Sequence, residues 1–567
     1  MSINLTNLIN SKYFDRAYVW ALIVFSFLLT FSLSLYGGIL SPDGMQYASL
    51  GKNLVDLKSY VSDGSHFPDI IQPPLYPLLI ALLYIFLRDP HTSGFAVSCI
   101  FNALAIFPLF FIALRVFNRT TAVLSVLLFA VHPLFLRTTL NIGSDSMYLF
   151  FFLCIVSLIL GFIENPNLSS SMLIGLSIGL AYATRIESVV LLPFFALLVY
   201  TSVAKKNIPK FKTKIISTAF LGFFVIYGAL TLFVYQQTGQ LMLCPKYQLI
   251  SAHKQIWRNS ESNPGFKGAS FETKTFQTFF KYDPETRDLL ANRLFYKKDR
   301  HPGKNEGDFG RDNRKSIQKV FALLFGMAKT FVRNIHSLYK QLVHITVFPP
   351  LLYPFVILGF FGIPWDLKRW RDSYHLLCAI LVSLLFLFTV DMQLRFLCPA
   401  VSLLLLWCAE GIVLSSQTLS KSLANIGTFR SQKTFIAIIT IIVILSAAPS
   451  AVTIVAANQM FNKNHILMAE AIEKHVPKEA TVISSNPQAA YLAHRRYAPL
   501  PYLTLDELKV YTTKFKQSAV ILSDEDKRTN PQLTGTLYRN GEEKTGQGYT
   551  MVLEKGYVIL LFNPSTP

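Results

Sequence analysis

The chain has 567 residues, of which 52% are hydrophobic and only 15% are charged. A soluble protein of this length carries charge on about a quarter of its residues, so the composition excludes an ordinary soluble enzyme and indicates an integral membrane protein. The net charge of +20 would suggest nucleic-acid binding in a soluble chain, but in a membrane protein it must first be compared with the basic bias of inside loops.

Twelve apolar runs follow one another along the chain, separated by polar breaks. The second run, residues 74–87, is shorter than the about 20 residues that cross a bilayer, so we expect it to lie at the membrane interface. The other runs predict eleven crossings, at residues 17–37, 94–114, 120–136, 147–163, 172–184, 188–203, 215–235, 345–363, 375–390, 397–415 and 434–456.

The charged residues orient these crossings. With run 74–87 left out, the loops on one side carry 15 basic and four acidic residues, which is typical of short cytoplasmic loops. This predicts an N-terminus inside and a C-terminus outside. Much of the net charge is therefore a topology signal, and no nucleic-acid partner is expected.

Three segments are placed outside the membrane, at residues 38–73, 236–344 and 457–567. In the second, residues 317–342 repeat apolar side chains with helical spacing and carry a basic face, which is typical of a helix on an anionic membrane surface. We therefore expect membrane lipids among its contacts, as substrate or only as an anchor.

The tail predicts a small extracytoplasmic α/β domain. It alternates expected helices at residues 466–475 and 506–515 with expected strands at 481–485, 519–523 and 557–562. The predicted division is a membrane domain over residues 1–456, which includes the outer loops 38–73 and 236–344, and a second domain over 457–567.

Two carboxylates are predicted at the same outer face. Asp43 follows the first crossing at the start of a short helix, and Asp145 begins the crossing at 147–163. Helix N-termini favour carboxylates, so each acid has a structural alternative as a cap. Two acids at one depth are more than capping requires, so both are candidates for chemistry.

Charged residues also lie where two short crossings meet. Runs 172–184 and 188–203 form a hairpin whose tip, residues 184–187, includes Arg185 and Glu187. A charged tip at this depth must contact water or protein.

The order of these motifs resembles the GT-C glycosyltransferases of the protein O-mannosyltransferase and lipid A aminoarabinose transferase superfamily. The similarity covers most of the membrane part and, loosely, the tail. It is carried by Asp43 with Tyr47, Gln72-Pro73-Pro74-Leu75-Tyr76-Pro77, Asp145, Leu180-Ala181-Tyr182-Ala183-Thr184-Arg185, and Asp391-Met392-Gln393-Leu394-Arg395-Phe396-Leu397-Cys398-Pro399.

The resemblance implies a GT-C fold with about 11 transmembrane helices. It also implies inverting transfer of a sugar from a polyprenyl-phosphate donor to a glycolipid, polysaccharide or protein on the outer face. Such chemistry needs a base for the acceptor proton and cations for the departing lipid phosphate. We assign the base to Asp43, and expect Asp145 to support it or to orient the acceptor.

Arg185 is the first candidate for the lipid phosphate, because a phosphate accepts a bidentate contact from an arginine at membrane depth. Glu187 is the alternative partner for Arg185. Arg395 is the second candidate for the phosphate, and its alternative is an ion pair with Asp391. Lys246 is a third candidate for the phosphate. The remaining candidates for substrate contacts are Tyr47, His66, Asp69, Gln72, Tyr76, Glu187 and His253.

The chain departs from its relatives in two places. Many relatives have two successive acids where this chain has Asp43-Gly44, and some have Lys before the Pro-Pro pair where this chain has Gln72. The absence of a globular insertion from 236–344 favours a bacterial enzyme of the inner membrane. No metal site or cofactor is predicted, because the six cysteines form no CxxC spacing, although facing carboxylates would suit a divalent cation.

Two other functions compete with sugar transfer. A transporter or flippase for lipid-linked sugars would need its charges near the bilayer centre, whereas Asp43, Asp145 and Arg185 all map to one face. A non-catalytic scaffold would bind its partner through the tail and would tolerate changes at both acids.

Overall fold

The computed structural model is mostly helical, with one small sheet near the C-terminus. It describes residues 12–39, 41–61, 72–202, 209–238, 331–340, 348–385, 393–422, 432–484, 487–500, 517–523, 549–554 and 557–562, together with a few isolated positions.

The chain divides into two compact units. The first unit comprises Met1–Gly38, Pro73–Leu230 and Gly303–Asn458, and the second comprises Ile39–Gln72, Thr231–Pro302 and Gln459–Pro567. The predicted boundary near residue 457 is therefore one of several places where the chain passes between units, and the predicted domain division itself stays a prediction.

The first half of the chain is a series of helices joined by short connections. They are α1 (Lys12–Gly37), α2 (Pro42–Asp56), α3 (Leu75–Leu87), α4 (Pro90–Leu104), α5 (Ile106–Val116), α6 (Arg119–Val131), α7 (Pro133–Thr139), α8 (Asp145–Glu164), α9 (Leu168–Tyr182), α10 (Leu191–Ser202) and α11 (Pro209–Thr238).

The second half has helices of very different lengths. They are α12 (Tyr353–Phe361), α13 (Leu367–Ser383), α14 (Cys398–Ser422), α15 (Gln432–His475) and α16 (Pro487–Leu492). Of the predicted amphipathic helix at 317–342, residues 331–340 are helical, and most of the rest lies outside the described residues.

Capping side chains set the starts of several helices. Ser41 accepts a hydrogen bond from Gly44 N at the start of α2, and Asp89 accepts one from Thr92 N at the start of α4. Such caps satisfy backbone N–H groups that have no partner within the helix.

The protein is an integral membrane protein. Within the described ranges, six helices are long and apolar enough to cross a membrane, or seven if the bent pair α6 and α7 counts as one span. Five shorter apolar helices accompany them, among them Leu75–Leu87, which corresponds to the run expected at the interface. The number of eleven crossings stays a prediction.

The predicted crossings differ in continuity. Run 94–114 lies in one continuous span, Pro90–Val116, which includes α4 and α5, whereas run 120–136 bends by 50° between α6 and α7, where His132 precedes Pro133. Proline cannot donate a backbone hydrogen bond, which explains the bend. The hairpin predicted at 184–187 is a break between α9 and a 3-10 turn, Ile186–Val190.

Helices α1 and α4 pack antiparallel. A Cβ at Gly38 would lie 2.5 Å from the Phe95 ring, and Ser34 Oγ lies 3.9 Å from Cys99 Sγ one turn deeper. Helix α1, which precedes the Asp43 segment, is thereby packed along α4 within the first unit.

Helices α12 and α14 approach each other through two glycines. A Cβ at Gly359 would lie 1.8 Å from Trp407 O, and a Cβ at Gly411 would lie 1.9 Å from Phe355 O. Small residues allow such close backbone contact in membrane helices, and this contact fixes α14, which begins directly after the segment that carries Arg395.

Gly411→Ala is expected to destabilise the protein by about 1–3 kcal/mol, because the added methyl group overlaps a backbone carbonyl that cannot move alone. The measurement is the apparent melting temperature of the purified protein in detergent. Gly228→Ala is the matched control, since a Cβ there meets nothing within 4 Å. Equal melting temperatures for the two variants would contradict the predicted close packing.

A buried carboxylate also holds α14 in place. Glu410 is 7% exposed, and its Oε2 accepts hydrogen bonds from Thr121 Oγ1 at 2.5 Å and from Asn118 Nδ2 at 3.3 Å. These two donors satisfy a charge that would be costly to bury alone, and they tie α14 to the start of α6.

The second unit contains a five-stranded sheet. Its strands are β1 (Thr481–Ser484), β2 (Arg496–Pro499), β3 (Ser518–Leu522), β4 (Tyr549–Glu554) and β5 (Tyr557–Phe562), in the order β2-β1-β3-β5-β4. Strand β1 pairs in parallel with β2 and β3, and β5 pairs antiparallel with β3 and β4. The two faces are buried against different apolar clusters.

The small C-terminal sheet confirms the predicted α/β character of the tail. Strands β1, β3 and β5 were predicted, whereas β2 and β4 were missed. The helix expected at 466–475 is the last part of α15, and most of the helix expected at 506–515 lies outside the described residues.

Candidate active site

Asp145 is the centre of the charged cluster in the first unit. It is the first residue of α8 and is 7% exposed. The preceding residue, Ser144, provides no side-chain cap, and the Asp145 carboxylate contacts two arginines from distant parts of the chain. The alternative in which Asp145 serves only as a helix cap does not account for these contacts.

Arg185 is the nearest partner of Asp145. Its guanidinium donates a hydrogen bond to Asp145 Oδ1 across 40 residues of chain, and its side chain is 12% exposed. Glu187, the alternative partner, lies farther away, with Oε2 3.7 Å from Arg185 Nε. The backbone of Arg185 is extended. Its N–H donates to Ala181 O, and its carbonyl oxygen accepts from Ser188 N.

Arg395 approaches the other oxygen of Asp145. Its guanidinium lies 3.8 Å from Asp145 Oδ2, and its Nε donates to Gln393 Oε1 at 2.7 Å. Arg395 is 31% exposed, so it is the more accessible of the two arginines. The alternative partner Asp391 lies outside the described residues.

Two aromatic rings hold the arginines in place. The Phe396 ring lies 4.8 Å from the Arg185 guanidinium and 5.7 Å from that of Arg395, and the Tyr148 ring lies 5.7 Å from Arg185. Cation–π attraction restricts the guanidinium planes. We refer to Asp145, Arg185 and Arg395 as the arginine clamp.

The arginine clamp concentrates guanidinium donors at one position. Two guanidinium groups converge on Asp145, and Glu187 lies 3.7 Å from Arg185, while arginine is suited to bind phosphate through paired N–H donors. The arrangement can therefore stabilise an anion, and the more exposed Arg395 is the side from which an anion would approach.

Asp43 lies in the second unit, in the first turn of α2. The N-cap of this helix is Ser41, whose Oγ accepts from Gly44 N at 3.1 Å. Ser41, and not Asp43, is therefore the residue whose side chain caps this helix.

Gln72 and Tyr47 also belong to the second unit. Gln72 Nε2 donates to Gln46 Oε1 at 3.1 Å, and Gln46 follows Asp43 by one helical turn. Gln72 O accepts a hydrogen bond from Tyr60 at 2.9 Å. Tyr47 is 7% exposed within α2. Gln72 thus attaches the segment before the prolines to the helix that carries Asp43.

Tyr76 lies in the first unit and is fully buried. Its hydroxyl accepts a hydrogen bond from Gly143 N, two residues before Asp145. The remaining candidates, Lys246, His253, His66 and Asp69, lie outside the described residues.

Ser98, Tyr148 and Phe396 lie at the site but were not among the residues predicted from the sequence. Tyr148 follows Asp145 by three residues, so helical spacing would have placed it beside the acid. Phe396 is inside the motif that carries Arg395. Ser98, which hydrogen-bonds Tyr76, has no sequence signal, because its role depends on helix packing.

Among the described residues, no group of three or more His, Cys, Asp and Glu side chains is arranged to hold a metal ion. The five cysteines in the described ranges are free thiols.

Residues 71–230 match the family model described as dolichyl-phosphate-mannose-protein mannosyltransferase. The matched region includes Gln72, Asp145 and Arg185. No curated protein sequence matches the chain.

Solved structures share the fold over nearly the whole chain. ArnT from Cupriavidus metallidurans is similar in its apo state, with a TM-score of 0.56, 12% identity, and coverage of 96% of this chain and 98% of ArnT. ArnT bound to undecaprenyl phosphate has a TM-score of 0.56 and 11% identity, with coverage of 98% and 100%. The Archaeoglobus fulgidus oligosaccharyltransferase, tethered to an acceptor peptide, has a TM-score of 0.51 and 13% identity, with coverage of 97% and 74%.

The family match and the shared fold agree with the motifs found in the sequence. They confirm the predicted resemblance: the chain has the GT-C membrane fold and resembles the glycosyltransferases of the protein mannosyltransferase and ArnT type.

Proposed function

We propose that this protein is a glycosyltransferase that moves a sugar from a polyprenyl-phosphate donor to an acceptor on the outer face of the membrane, with inversion at the sugar carbon. The observation that carries the proposal is the arginine clamp, in which two guanidinium groups converge on the buried Asp145. ArnT, which shares the fold, has been solved with undecaprenyl phosphate bound.

In the proposed reaction, an acceptor hydroxyl attacks the anomeric carbon. Asp43 takes the hydroxyl proton as the new C–O bond forms. The bond from the anomeric carbon to the phosphate oxygen breaks, and its electron pair remains on the lipid phosphate. Arg185 and Arg395 stabilise that developing charge, which is the contribution that fixed cations make in such transition states.

Asp145 has a supporting role in this proposal. A carboxylate that binds both arginines keeps their donors oriented before the donor arrives, and preorganised charge is more effective than charge that must reorient. Asp145 is thus proposed as the residue that positions the clamp, and this role replaces direct contact with the acceptor.

The proposed partners are a polyprenyl-phosphate sugar, membrane lipids, and a glycolipid, polysaccharide or protein acceptor. No cofactor is part of the proposal, because the two arginines supply the positive charge at the phosphate. Assays with added EDTA and with Mg²⁺ test the alternative of a divalent cation. The proposed location is the bacterial inner membrane, with the N-terminus inside and the C-terminus outside.

The test is a transfer assay with membranes that contain the protein. Lipid-linked sugars labelled in the sugar are supplied singly, and the label is followed into lipid, polysaccharide and protein fractions. We expect label to leave the polyprenyl phosphate and to enter one acceptor fraction. The control is the same membrane with the double variant Arg185→Gln/Arg395→Gln, in which transfer should be lost.

A flippase gives a different result in the same assay. It would move the labelled lipid across the membrane while the bond between sugar and phosphate stays intact. Recovery of all label as intact donor, for every sugar tested, would overturn the proposal.

A further inference from the structure

The N-terminal end of α3 contacts the segments that lead to Arg185 and to Asp145 in the arginine clamp. Leu75 N donates a hydrogen bond to Ala183 O at 3.3 Å, two residues before Arg185. The next residue, Tyr76, contacts the loop over residues 141–143, which leads to Asp145. Two consecutive residues of α3 therefore hold the backbone two residues before each partner of the buried ion pair.

We infer that Tyr76, together with Ser98, positions the arginine clamp for the lipid phosphate without touching the substrate. This inference rests on the proposed function, because it assigns the phosphate to Arg185 and Arg395. Tyr76 is a positioning residue in this account, although its sequence motif suggested contact with the substrate.

The Tyr76 hydroxyl uses its full hydrogen-bonding capacity. It accepts from Gly143 N at 3.0 Å, lies 3.0 Å from Gly94 O as donor, and lies 2.7 Å from Ser98 Oγ. A phenolic hydroxyl has one hydrogen and two lone pairs. With these three neighbours and a fully buried side chain, it has no remaining group to offer a substrate.

Ser98 extends the network next to the same loop and is fully buried. Because Tyr76 donates to Gly94 O, Ser98 donates its single hydrogen to Tyr76, and its oxygen packs 3.3 Å from Gly143 O and 3.4 Å from Asn141 O. Ser98 thus orients the Tyr76 hydroxyl that accepts from Gly143 N, and this bond fixes the direction of that N–H. An unpartnered buried N–H would cost more than the bond contributes when made.

The loop over residues 141–143 packs closely against α4 and Asp145. A Cβ at Gly94 would lie 2.7 Å from Ile142 Cγ2, so the glycine leaves the space that the Ile142 side chain fills. A Cβ at Gly143 would lie 3.2 Å from Asp145 Oδ2. The loop therefore passes close to the carboxylate it presents, and a shift of its backbone would move Asp145 relative to Arg185.

The experiment measures lipid binding by the purified full-length protein. The probes are undecaprenyl phosphate and undecaprenol, which differ only in the phosphate. Tyr76→Phe is expected to bind undecaprenyl phosphate about tenfold more weakly, because it leaves Gly143 N without its partner. Its binding of undecaprenol should match that of the unaltered protein.

The matched control is Tyr18→Phe. Tyr18 is a partly buried tyrosine of the same unit, and its hydroxyl donates to Val123 O at 3.3 Å. This bond does not involve the 141–143 loop, so removal of the Tyr18 hydroxyl should leave both lipid affinities unchanged. Ser98→Ala provides a second variant, with an expected loss of roughly threefold for undecaprenyl phosphate alone. The two variants keep the inference testable if one of them fails to fold.

The outcomes separate the two proposals. If the unaltered protein prefers undecaprenyl phosphate to undecaprenol and Tyr76→Phe and Ser98→Ala keep that preference in full, the positioning role is wrong and the phosphate site stands. An equal loss for both lipids indicates a structural role alone and also overturns the inference. If the unaltered protein shows no preference, the phosphate assignment in the proposed function is wrong, and the inference that rests on it is wrong too.

Discussion

Asp43→Asn is expected to lower the rate constant for sugar transfer by about 10²- to 10⁴-fold, the usual contribution of a positioned general base. The amide has the size of the carboxyl group but does not accept the acceptor proton. The helix should be retained, because its cap is Ser41. The measurement is kcat for transfer at saturating donor, with the affinity for undecaprenyl phosphate expected to be unchanged.

Asp56→Asn is the matched control for this prediction. Asp56 is exposed in the last turn of the same helix, where a negative charge is not favoured by the helix dipole, so its loss should leave stability and transfer nearly unchanged. Full activity of Asp43→Asn would show that another group takes the proton. An equal loss in both variants would point to a general effect on the helix.

Arg185→Gln is expected to have the second large effect, on folding and on donor binding together. Asp145 and Arg185 are 7% and 12% exposed, and removal of one member of such a buried pair typically costs about 3–5 kcal/mol. Arg395, 3.8 Å from Asp145 Oδ2, remains as the more distant partner, so we expect a loss near the lower end of that range. The readouts are the apparent melting temperature and the affinity for undecaprenyl phosphate, which should fall by about tenfold or more.

Arg115→Gln provides the control of the same chemistry at an exposed site. Arg115 Nε lies 2.8 Å from Glu164 Oε1, with side chains 36% and 58% exposed, and such surface pairs contribute about 0–1 kcal/mol. The double variant Asp145→Asn/Arg185→Gln should be less destabilised than the sum of its single variants, since it removes both charges. If Arg185→Gln is as stable as Arg115→Gln, Asp145 and Arg185 do not form a buried pair.

Arg185→Lys separates charge from geometry. Lysine keeps the positive charge but loses the planar fork and the stacking on Phe396. We expect it to restore part of the stability and little of the affinity for undecaprenyl phosphate. Recovery of both would indicate that charge alone is recognised.

Much of the fold could be read from the sequence because the bilayer restricts what a chain can do. Long apolar runs must form helices to satisfy their backbone hydrogen bonds, so α8, α11 and α14 are where the hydropathy pattern predicts helices. The break at 184–187 was also predicted, because charged residues interrupt an apolar run there. The bend at Pro133 was not predicted, because it falls inside a run that stays apolar.

The C-terminal sheet shows where local pattern is insufficient. Strands β1, β3 and β5 were identified from their buried apolar residues, which occupy both faces of the sheet. Strand β2, with Arg496 and Pro499 at its ends, lies at one edge and β4 at the other. Edge strands keep polar and proline residues that weaken the strand pattern, as in β2, so pairing with β1 decides the conformation of that strand.

The sequence by itself determined that this protein lies in a membrane, that Asp43 and Asp145 begin helices, and that Arg185 is at a break between two helices. These are properties of neighbouring residues along the chain. Only the tertiary structure decided that Arg185 pairs with Asp145, 40 residues away, more closely than with Glu187, and that Tyr76 is buried against Gly143. The physical reason is that a buried charge or hydroxyl must find a partner wherever helix packing brings one within reach, and helix packing depends on contacts that are distant in the sequence.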